Sequence, residues 1–179
     1  MDKKYDIVAL GEVLIDFTPA GRSESGMLLF EQNPGGAPVN MLTAAAKNGF
    51  RTAFIGKVGN DMHGKFLRDT MEAEGIDAEG LVVADDVFTT LAFVALKENG
   101  ERTFSFARKP GADTKLCYKE LNQKIVRDTR VFHIGSLSLT DEPARTTTFQ
   151  AVRMAKESGA LISYDPNYRA SLWKDEETA

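Results

Sequence analysis

The chain has 179 residues, of which 42% are hydrophobic and 27% charged, a composition typical of a globular protein with one buried core. The net charge is −4 at pH 7 and there is no basic block, which argues against a nucleic-acid partner. No apolar run approaches the roughly 20 residues of a membrane helix, and the N-terminus lacks the apolar stretch of a secretory signal. One cysteine excludes an internal disulfide, so we expect a cytoplasmic protein without a structural metal site.

Apolar runs and turn residues predict alternating strands and helices along the chain. Strands are predicted over residues 7–10, 12–17, 27–30, 52–58, 87–96, 102–107, 131–135 and 161–165. Helices are predicted over residues 38–48 and 116–124, from a cap at Asp61 to about Glu74, and from a cap at Asp141 to Gly159. This alternation is typical of a mostly parallel α/β sheet flanked by helices.

Two regions depart from this alternation. In residues 12–17, Val13 and Ile15 share one face of a strand, and Asp16 lies on the other. Asn99-Gly100 is a hairpin signal between two further strands. We therefore expect a small antiparallel β lid built from residues 14–33 and 85–108, beside a core of residues 1–13, 34–84 and 109–179.

The run Leu161 to Tyr164 is apolar and predicts a strand buried on both faces. No further strand is predicted in the remaining residues up to Ala179. A bare hydrophobic strand edge favours aggregation. We therefore expect the chain to be part of a larger folding unit, or this edge to be covered by something else.

A short run near the N-terminus has the properties of a ligand-binding turn: Asn33-Pro34-Gly35-Gly36-Ala37-Pro38-Val39-Asn40. Gly35 and Gly36 expose their peptide groups, and the helix that follows has free N–H donors in its first turn. Asn40 adds a side chain that both donates and accepts hydrogen bonds. The combination suits a small molecule rich in hydroxyls, although a plain turn before a helix would use the same residues.

With glycines at fixed distances downstream, this run resembles the first signature of the ribokinase-like, or phosphofructokinase-B, family of sugar kinases. The positions concerned are Gly35, Gly36, Pro38, Asn40, Gly49 and Gly59. The chain departs from the signature at Leu42, where a small residue is usual. The departure concerns helix packing more than ligand contact.

Three further segments resemble this family, and fructokinases in particular, in order and spacing. They are Gly11 to Asp16, Phe106 to Asp113, and Asp165 to Arg169 with the following Leu172-Trp173. The resemblance covers essentially the whole chain and implies a ribokinase-like fold. The family's second signature, Asp-Thr-x-Gly-Ala-Gly-Asp, which supplies the anion hole and the catalytic base, does not occur in these residues. We therefore expect that these residues include no catalytic residue and that the C-terminal nucleotide-binding part of the family's fold is missing. If translation stops at Ala179, we expect the chain to be inactive.

The resemblance implies a sugar-binding role for Asp16, Gly35, Gly36 and Asn40. A carboxylate accepts hydrogen bonds from two neighbouring hydroxyls, which suits Asp16, and a charge among apolar neighbours needs a partner. The alternative for Asp16 is an exposed polar residue on a lid strand.

The other two segments add Phe106, Arg108 and Arg169 as candidate substrate-binding residues. Related kinases of keto-acid sugars use arginines at similar motif positions, whereas a surface ion pair is the alternative for either arginine. Asn167 is a candidate for contact with the phosphates or with magnesium-bound water, and no residue is expected to bind a metal directly.

The resemblance implies an ATP-dependent sugar kinase, with fructose as the expected substrate and ATP and Mg²⁺ as cofactors. A homodimer through the lid is a further expectation, without a membrane or nucleic-acid partner. Two alternatives stay open: a family member acting on 2-keto-3-deoxygluconate, ribose or a nucleoside, and a sugar-binding fragment without activity.

Overall fold

The computed structural model describes residues 2–96, 102–173, 175 and 177, and it consists of two sheets with helices around the first. The strands are β1 (Tyr5–Leu10), β2 (Leu14–Arg22), β3 (Leu28–Gly35), β4 (Thr52–Gly59), β5 (Ile76–Ala84), β6 (Leu91–Leu96), β7 (Arg102–Ala107), β8 (Thr129–Gly135) and β9 (Leu161–Asp165). The α-helices are α1 (Ala37–Lys47), α2 (Met62–Ala73), α3 (Gln123–Arg127) and α4 (Ala144–Glu157). Short 3-10 helices cover Ala112–Lys115, Tyr118–Glu120, Ser136–Leu139 and Ala170–Leu172.

The first sheet, which we call the core sheet, has the strand order β5-β4-β1-β8-β9, and its neighbouring strands are parallel. Alternate residues of β1 point to opposite faces: Val8 and Leu10 pack in one hydrophobic cluster, and Ala9 packs in the other. Helices α3 and α4 contribute to the first cluster, and α1 and α2 to the second. The prediction of a mostly parallel sheet flanked by helices is confirmed.

The beginnings of α1 and α2 follow from their sequences. Pro38 lies in the first turn of α1, where its missing N–H costs nothing. Asp61 caps α2, since its Oδ1 accepts hydrogen bonds from the N–H groups of His63 and Gly64, each at 2.9 Å. Both helix starts were predicted from these residues.

The second sheet has the order β3-β2-β6-β7 and is mixed, so the prediction of an antiparallel sheet is wrong at its centre. Strands β2 and β3 are antiparallel, as are β6 and β7, but β2 pairs in parallel with β6, with Ile15 opposite Leu91. The reason is the connectivity. Both β2 and β6 leave the core sheet from the carboxyl end of a strand, β1 and β5 respectively, and so run in the same direction. The predicted Asn99-Gly100 turn lies outside the described residues.

Strand β5 was not predicted, and the strand predicted from residue 87 begins only at Leu91. Gly80 and two acidic residues interrupt the apolar pattern of β5 and hide it from a periodicity search. Before β6, the hydroxyls of Thr89 and Thr90 donate hydrogen bonds to Asp61 and Asp113 respectively. These side-chain bonds hold the segment in an irregular path between the two sheets.

Two helix predictions also need correction. The helix predicted over residues 116–124 is a 3-10 turn followed by α3, because Asn122 caps a new helix at the N–H of Ile125. Asp141 does not cap α4, whose N-cap position is Pro143. The Asp141 carboxylate instead accepts a hydrogen bond from Thr140 Oγ1 at 2.8 Å and lies 3.5 Å from the Arg108 guanidinium.

Strand β9 was predicted to be buried on both faces, and this is wrong. Leu161 is 73% exposed, and Ile162 and Tyr164 are exposed as well. Within the described residues β9 pairs only with β8 and forms an edge of the core sheet. Its apolar composition matches a strand that another element covers, but none of the described residues does so. Among the helices of the described residues, none is long and apolar enough to span a membrane.

Candidate functional site

A cavity of about 180 Å³ lies beyond the carboxyl ends of β1, β8 and β9, between the core sheet and the second sheet. Ligand sites of parallel α/β sheets commonly occupy this edge. Six of its lining residues were predicted as site residues from the sequence: Asp16, Gly36, Asn40, Phe106, Asn167 and Arg169. Five were not: Glu12, Leu14, Ala37, Phe104 and Leu137.

Gly36 and the start of α1 form one wall of the cavity, and the backbone at Gly36 requires a glycine. Gly36 has φ +117°, and a Cβ there would lie 2.5 Å from the backbone oxygen of Glu12. A Cβ on Gly35 would collide with the carboxylate of Asp16. Gly36 therefore lets the start of α1 approach the segment that joins β1 to β2, and Gly35 leaves room for the Asp16 side chain of β2. Gly35 itself lies behind Asp16 and is not among the lining residues.

Asp16 enters the cavity from β2, on the strand face opposite the buried Val13 and Ile15, as predicted. Its side chain is half-buried, and its carboxylate makes no hydrogen bond to another described residue. Burial raises the pKa of Asp16, and the positive charge of Arg169 opposes this shift. Asp16 is thus a partly desolvated carboxylate whose hydrogen-bonding capacity is free for a ligand.

Asn40, Asn167 and Arg169 bring further polar groups to the cavity from α1 and from the segment after β9. Asn167 has φ +29°, and its backbone N–H donates to Asp165 Oδ1 at 3.0 Å. Asparagine and aspartate tolerate and stabilise such local turns. The side chains of Asn167 and Arg169 supply hydrogen-bond donors suited to a ligand with hydroxyl or phosphate groups.

Phe104 and Phe106 form an aromatic wall on β7. Their rings are stacked, with centroids 6.1 Å apart and an interplanar angle of 17°. Both rings also line a neighbouring cleft of about 370 Å³ that contains Arg108 and Trp173. The aromatic wall therefore lies between the cavity and this cleft and gives the cavity an apolar side.

Arg108 is not among the residues that line the cavity, although the sequence suggested it. It is 6% exposed, and its guanidinium is held by Asp113 Oδ2, at 2.8 Å from Nε and 2.7 Å from Nη2. Nη2 also donates to the backbone oxygen of Leu137, and Nη1 to Thr140 Oγ1. This network ties the end of β7 to the segment after β8.

Glu12 is the site residue that sequence reasoning overlooked. It is 2% exposed, yet it lines the cavity directly after β1. Burial raises its pKa to about 7. The nearby backbone N–H groups of Glu12 itself and of Ala37 oppose this shift, the negative charge of Asp113 adds to it, and the positive charge of Arg108 opposes it. The available signal was a carboxylate between the apolar run of β1 and Val13, where an uncompensated charge is costly.

The cavity therefore combines two unusual carboxyl groups, amide and guanidinium donors, and an aromatic wall. Such a set is chemically suited to a small polyhydroxylated molecule, since carboxylates accept from hydroxyls and amides both donate and accept. No group of three or more His, Cys, Asp or Glu side chains in the described part of the chain is placed to hold a metal ion. A phosphorylated cofactor could use Asn167 and Arg169.

Solved structures of sugar kinases share this fold. The fructokinase from Xylella fastidiosa matches with a TM-score of 0.90 and 38% identity, covering 97% of this chain and 54% of that one. The structure of the Xylella fastidiosa fructokinase with bound ATP matches with a TM-score of 0.89 and 39% identity, covering 97% and 55%.

Sequence relatives give the same result. Fructokinase-2 of Oryza sativa subsp. japonica is 46% identical over 97% of this chain and 52% of its own length. Probable fructokinase-2 of Arabidopsis thaliana is 44% identical over 99% of this chain and 55% of its own length. The chain thus spans about half the length of the relatives that it matches. The family model "pfkB family carbohydrate kinase" matches residues 4–179, and the chain therefore belongs to the pfkB family of carbohydrate kinases.

Proposed function

We propose that the protein is an ATP-dependent fructokinase that converts fructose to fructose 6-phosphate. The observation that carries this proposal is the cavity in which Asp16, half-buried and without a hydrogen bond to another described residue, lies with Gly36 and Asn40. The names of the fructokinases to which the chain is similar support fructose as the sugar.

In this proposal Asp16 accepts hydrogen bonds from two neighbouring hydroxyls of the sugar, and Asn40 binds a third polar group. Gly36 allows the sugar to approach the first turn of α1, and Phe106 packs on its less polar side. Arg169 offsets the negative charge of Asp16. Arg108 supports the cavity from behind through Asp113 and does not touch the sugar. The protein's contribution is to hold one hydroxyl in a fixed orientation for phosphoryl transfer.

The second sheet acts as a lid in this proposal. It provides Asp16 on β2 and Phe106 on β7, so its position relative to the core sheet decides whether the cavity is complete. Closure over the sugar would exclude water and limit hydrolysis of ATP. In this proposal the lid consists of residues 14–33 and 85–108, and the core consists of residues 1–13, 34–84 and 109–179.

ATP and Mg²⁺ are the proposed cofactors. ATP supplies the phosphoryl group that is transferred, and Mg²⁺ binds its phosphates and offsets their charge. Among the described residues, Asn167 fits a contact with the phosphates or with magnesium-bound water, because it lies at the cavity with a free amide side chain. The ATP-bound Xylella fastidiosa fructokinase, similar over 97% of this chain, supports the nucleotide.

A homodimer through the second sheet is part of the proposal. Phe17 and Phe93 stack with centroids 5.2 Å apart, and Phe30 packs edge-on against both rings. Phe30 and Phe93 are nevertheless 41% and 38% exposed. Covering this aromatic cluster with a second copy would bury apolar surface. Sedimentation of the protein and of a Phe30→Glu variant tests this, and a monomeric wild type contradicts it.

The experiment that tests the function is a phosphorylation assay on a sugar panel, with the protein expressed from its complete reading frame. The panel contains fructose, ribose, 2-keto-3-deoxygluconate and a nucleoside, and ADP release is measured with and without Mg²⁺. We expect the highest kcat/KM for fructose. Turnover of another sugar but not of fructose overturns the assignment of fructose as the substrate. The same assay on the 179-residue chain tests whether this chain is active alone.

A further inference from the structure

The Glu12 carboxyl has one oxygen without a partner. Oε1 accepts a hydrogen bond from the backbone N–H of Ala37 at 3.0 Å, which fixes the start of α1. Oε2 is buried and has no hydrogen-bond partner among the described residues. A buried polar atom without a partner is costly, and native structures rarely keep one without a reason. Because Glu12 lines the cavity, a group bound there is the natural partner.

A second unpartnered oxygen lies on the neighbouring strand. β1 and β8 pair with Leu10 opposite Ile134, and Glu12 and Ser136 each follow two residues later. Ser136 is 2% exposed, and its Oγ also lacks a partner among the described residues. A Cβ on Gly135 would lie 3.7 Å from Glu12 Oε2, which places the carboxyl against the backbone that leads to Ser136. Two adjacent strands thus end in polar atoms that need partners.

The charges around Glu12 decide which hydrogen bonds it can make. Asp113 and Arg108 act on it with opposite effects, and Asp16 and Arg169 line the same cavity. Burial is the largest influence and raises the pKa of Glu12 to about 7. Near neutral pH both forms of the carboxyl are therefore present. The protonated form donates a hydrogen bond from Oε2, whereas the ionised form only accepts.

We propose that Glu12 is a substrate-binding residue whose Oε2 forms a hydrogen bond with a hydroxyl of the sugar. This inference rests on the proposed function and adds a contact from the segment that joins β1 to β2. Oε1 holds the Gly36–Ala37 turn at the same time, so one side chain links the shape of the turn to the presence of the sugar. Ser136 lies beside this contact.

Two substitutions of Glu12 separate its two hydrogen bonds. Glu12→Met keeps the length of the side chain and removes both oxygens, so KM for the sugar rises about 10- to 100-fold while KM for ATP stays within about threefold. Glu12→Gln retains an oxygen for the Ala37 N–H and a donor in the place of protonated Oε2. It therefore recovers most of the lost affinity. Glu157→Met makes the same exchange at an exposed position on α4 and should leave both KM values unchanged.

Sugars that lack one hydroxyl distinguish direct contact from a purely structural role. For one deoxy sugar, removal of the hydroxyl raises KM about tenfold in the wild type but no more than about twofold in Glu12→Met, since its partner is already absent. A structural role for Glu12 predicts equal losses in both proteins for every deoxy sugar. Equal losses throughout would overturn the inference.

A crystal structure of the wild-type protein with its sugar gives a test that needs no variant. A sugar hydroxyl within hydrogen-bonding distance of Oε2 supports the inference, and a water that alone satisfies Glu12 and Ser136 overturns it. If the preferred sugar is not fructose, the same experiments are made with that sugar, so an error in the substrate leaves the role of Glu12 testable. A wild type that binds no sugar of the panel overturns both proposals.

Discussion

The aromatic wall of β7 lies between two groups of polar side chains, one in the cleft that contains Arg108 and one in the cavity that contains Asp16 and Glu12. Behind it, the Arg108 guanidinium is bonded to Asp113, Leu137 and Thr140, and Thr90 bonds the other oxygen of Asp113. In front of it, Asp16 makes no hydrogen bond to another described residue, and Glu12 uses only one carboxyl oxygen. Because buried charges need partners, the difference supports our proposal that the Arg108 group stabilises the fold and that the cavity group binds a ligand.

The largest effect that tests this comparison is expected at Arg108. Arg108→Met leaves the Asp113 carboxylate buried without its cation and should lower the free energy of unfolding by about 3–5 kcal/mol. Chemical denaturation measures this change. Adding Asp113→Leu to the variant removes the unpaired charge and should recover part of the loss. Unchanged stability with a strongly raised KM for sugar would instead place Arg108 with the ligand-binding group.

The pH dependence of stability tests Glu12. Its pKa rises from 4.5 to about 7 on folding, so between these values the folded protein holds a proton that the unfolded chain releases. The contribution of Glu12 to the free energy of unfolding, about 3 kcal/mol, is therefore fully present below pH 4.5 and is lost as the pH rises through 7. Glu12→Gln cannot titrate and should lack this component. Wild-type and variant unfolding curves that change in parallel from pH 5 to 8 would contradict a buried, protonated Glu12.

Asp16 should show the opposite separation of activity and stability. Asp16→Asn keeps the shape of the side chain but loses the charge and one acceptor, so kcat/KM for the sugar should fall about 100-fold. The melting temperature should stay the same or rise, because the half-buried charge has no hydrogen-bond partner to lose. Asp69→Asn, on the exposed face of α2, is the matched control. A destabilised Asp16→Asn with normal kinetics would show that Asp16 belongs to the structural group.

The smallest effect is expected at Arg169, the second arginine of the sequence-based prediction. Arg169 is exposed at the cavity, so Arg169→Gln should raise KM for the sugar by only about three- to tenfold, as expected for a solvent-screened charge. The free energy of unfolding should change by less than about 0.5 kcal/mol. Steady-state kinetics beside denaturation give both values. A stability loss similar to that of Arg108→Met would remove the distinction between the two arginines.

Much of the core sheet could be predicted because local patterns determine it. β1, β4 and β8 are short apolar runs, α1 has its proline and glycine in place, and Asp61 caps α2. The elements that were predicted wrongly depend on partners distant in the sequence. β5 has a weak apolar pattern and is held by β4, and β9 is apolar although it lies exposed at an edge. A periodicity search finds neither fact, since it detects only which faces a sequence can bury.

The sequence by itself determined the family and the position of the Gly35–Gly36 turn. Glycine marks this turn because Gly36 has a positive φ that other residues rarely adopt. Only the tertiary structure decided which charged side chains have partners. It paired Arg108 with Asp113, brought Asp16 and Arg169 to one cavity, and left one oxygen of Glu12 unpartnered. The physical reason is that the hydrogen-bond partners of these buried charges come from segments far apart in the sequence, such as the segment after β8 for Arg108 and the start of α1 for Glu12. Their distances are fixed by packing and not by spacing along the chain.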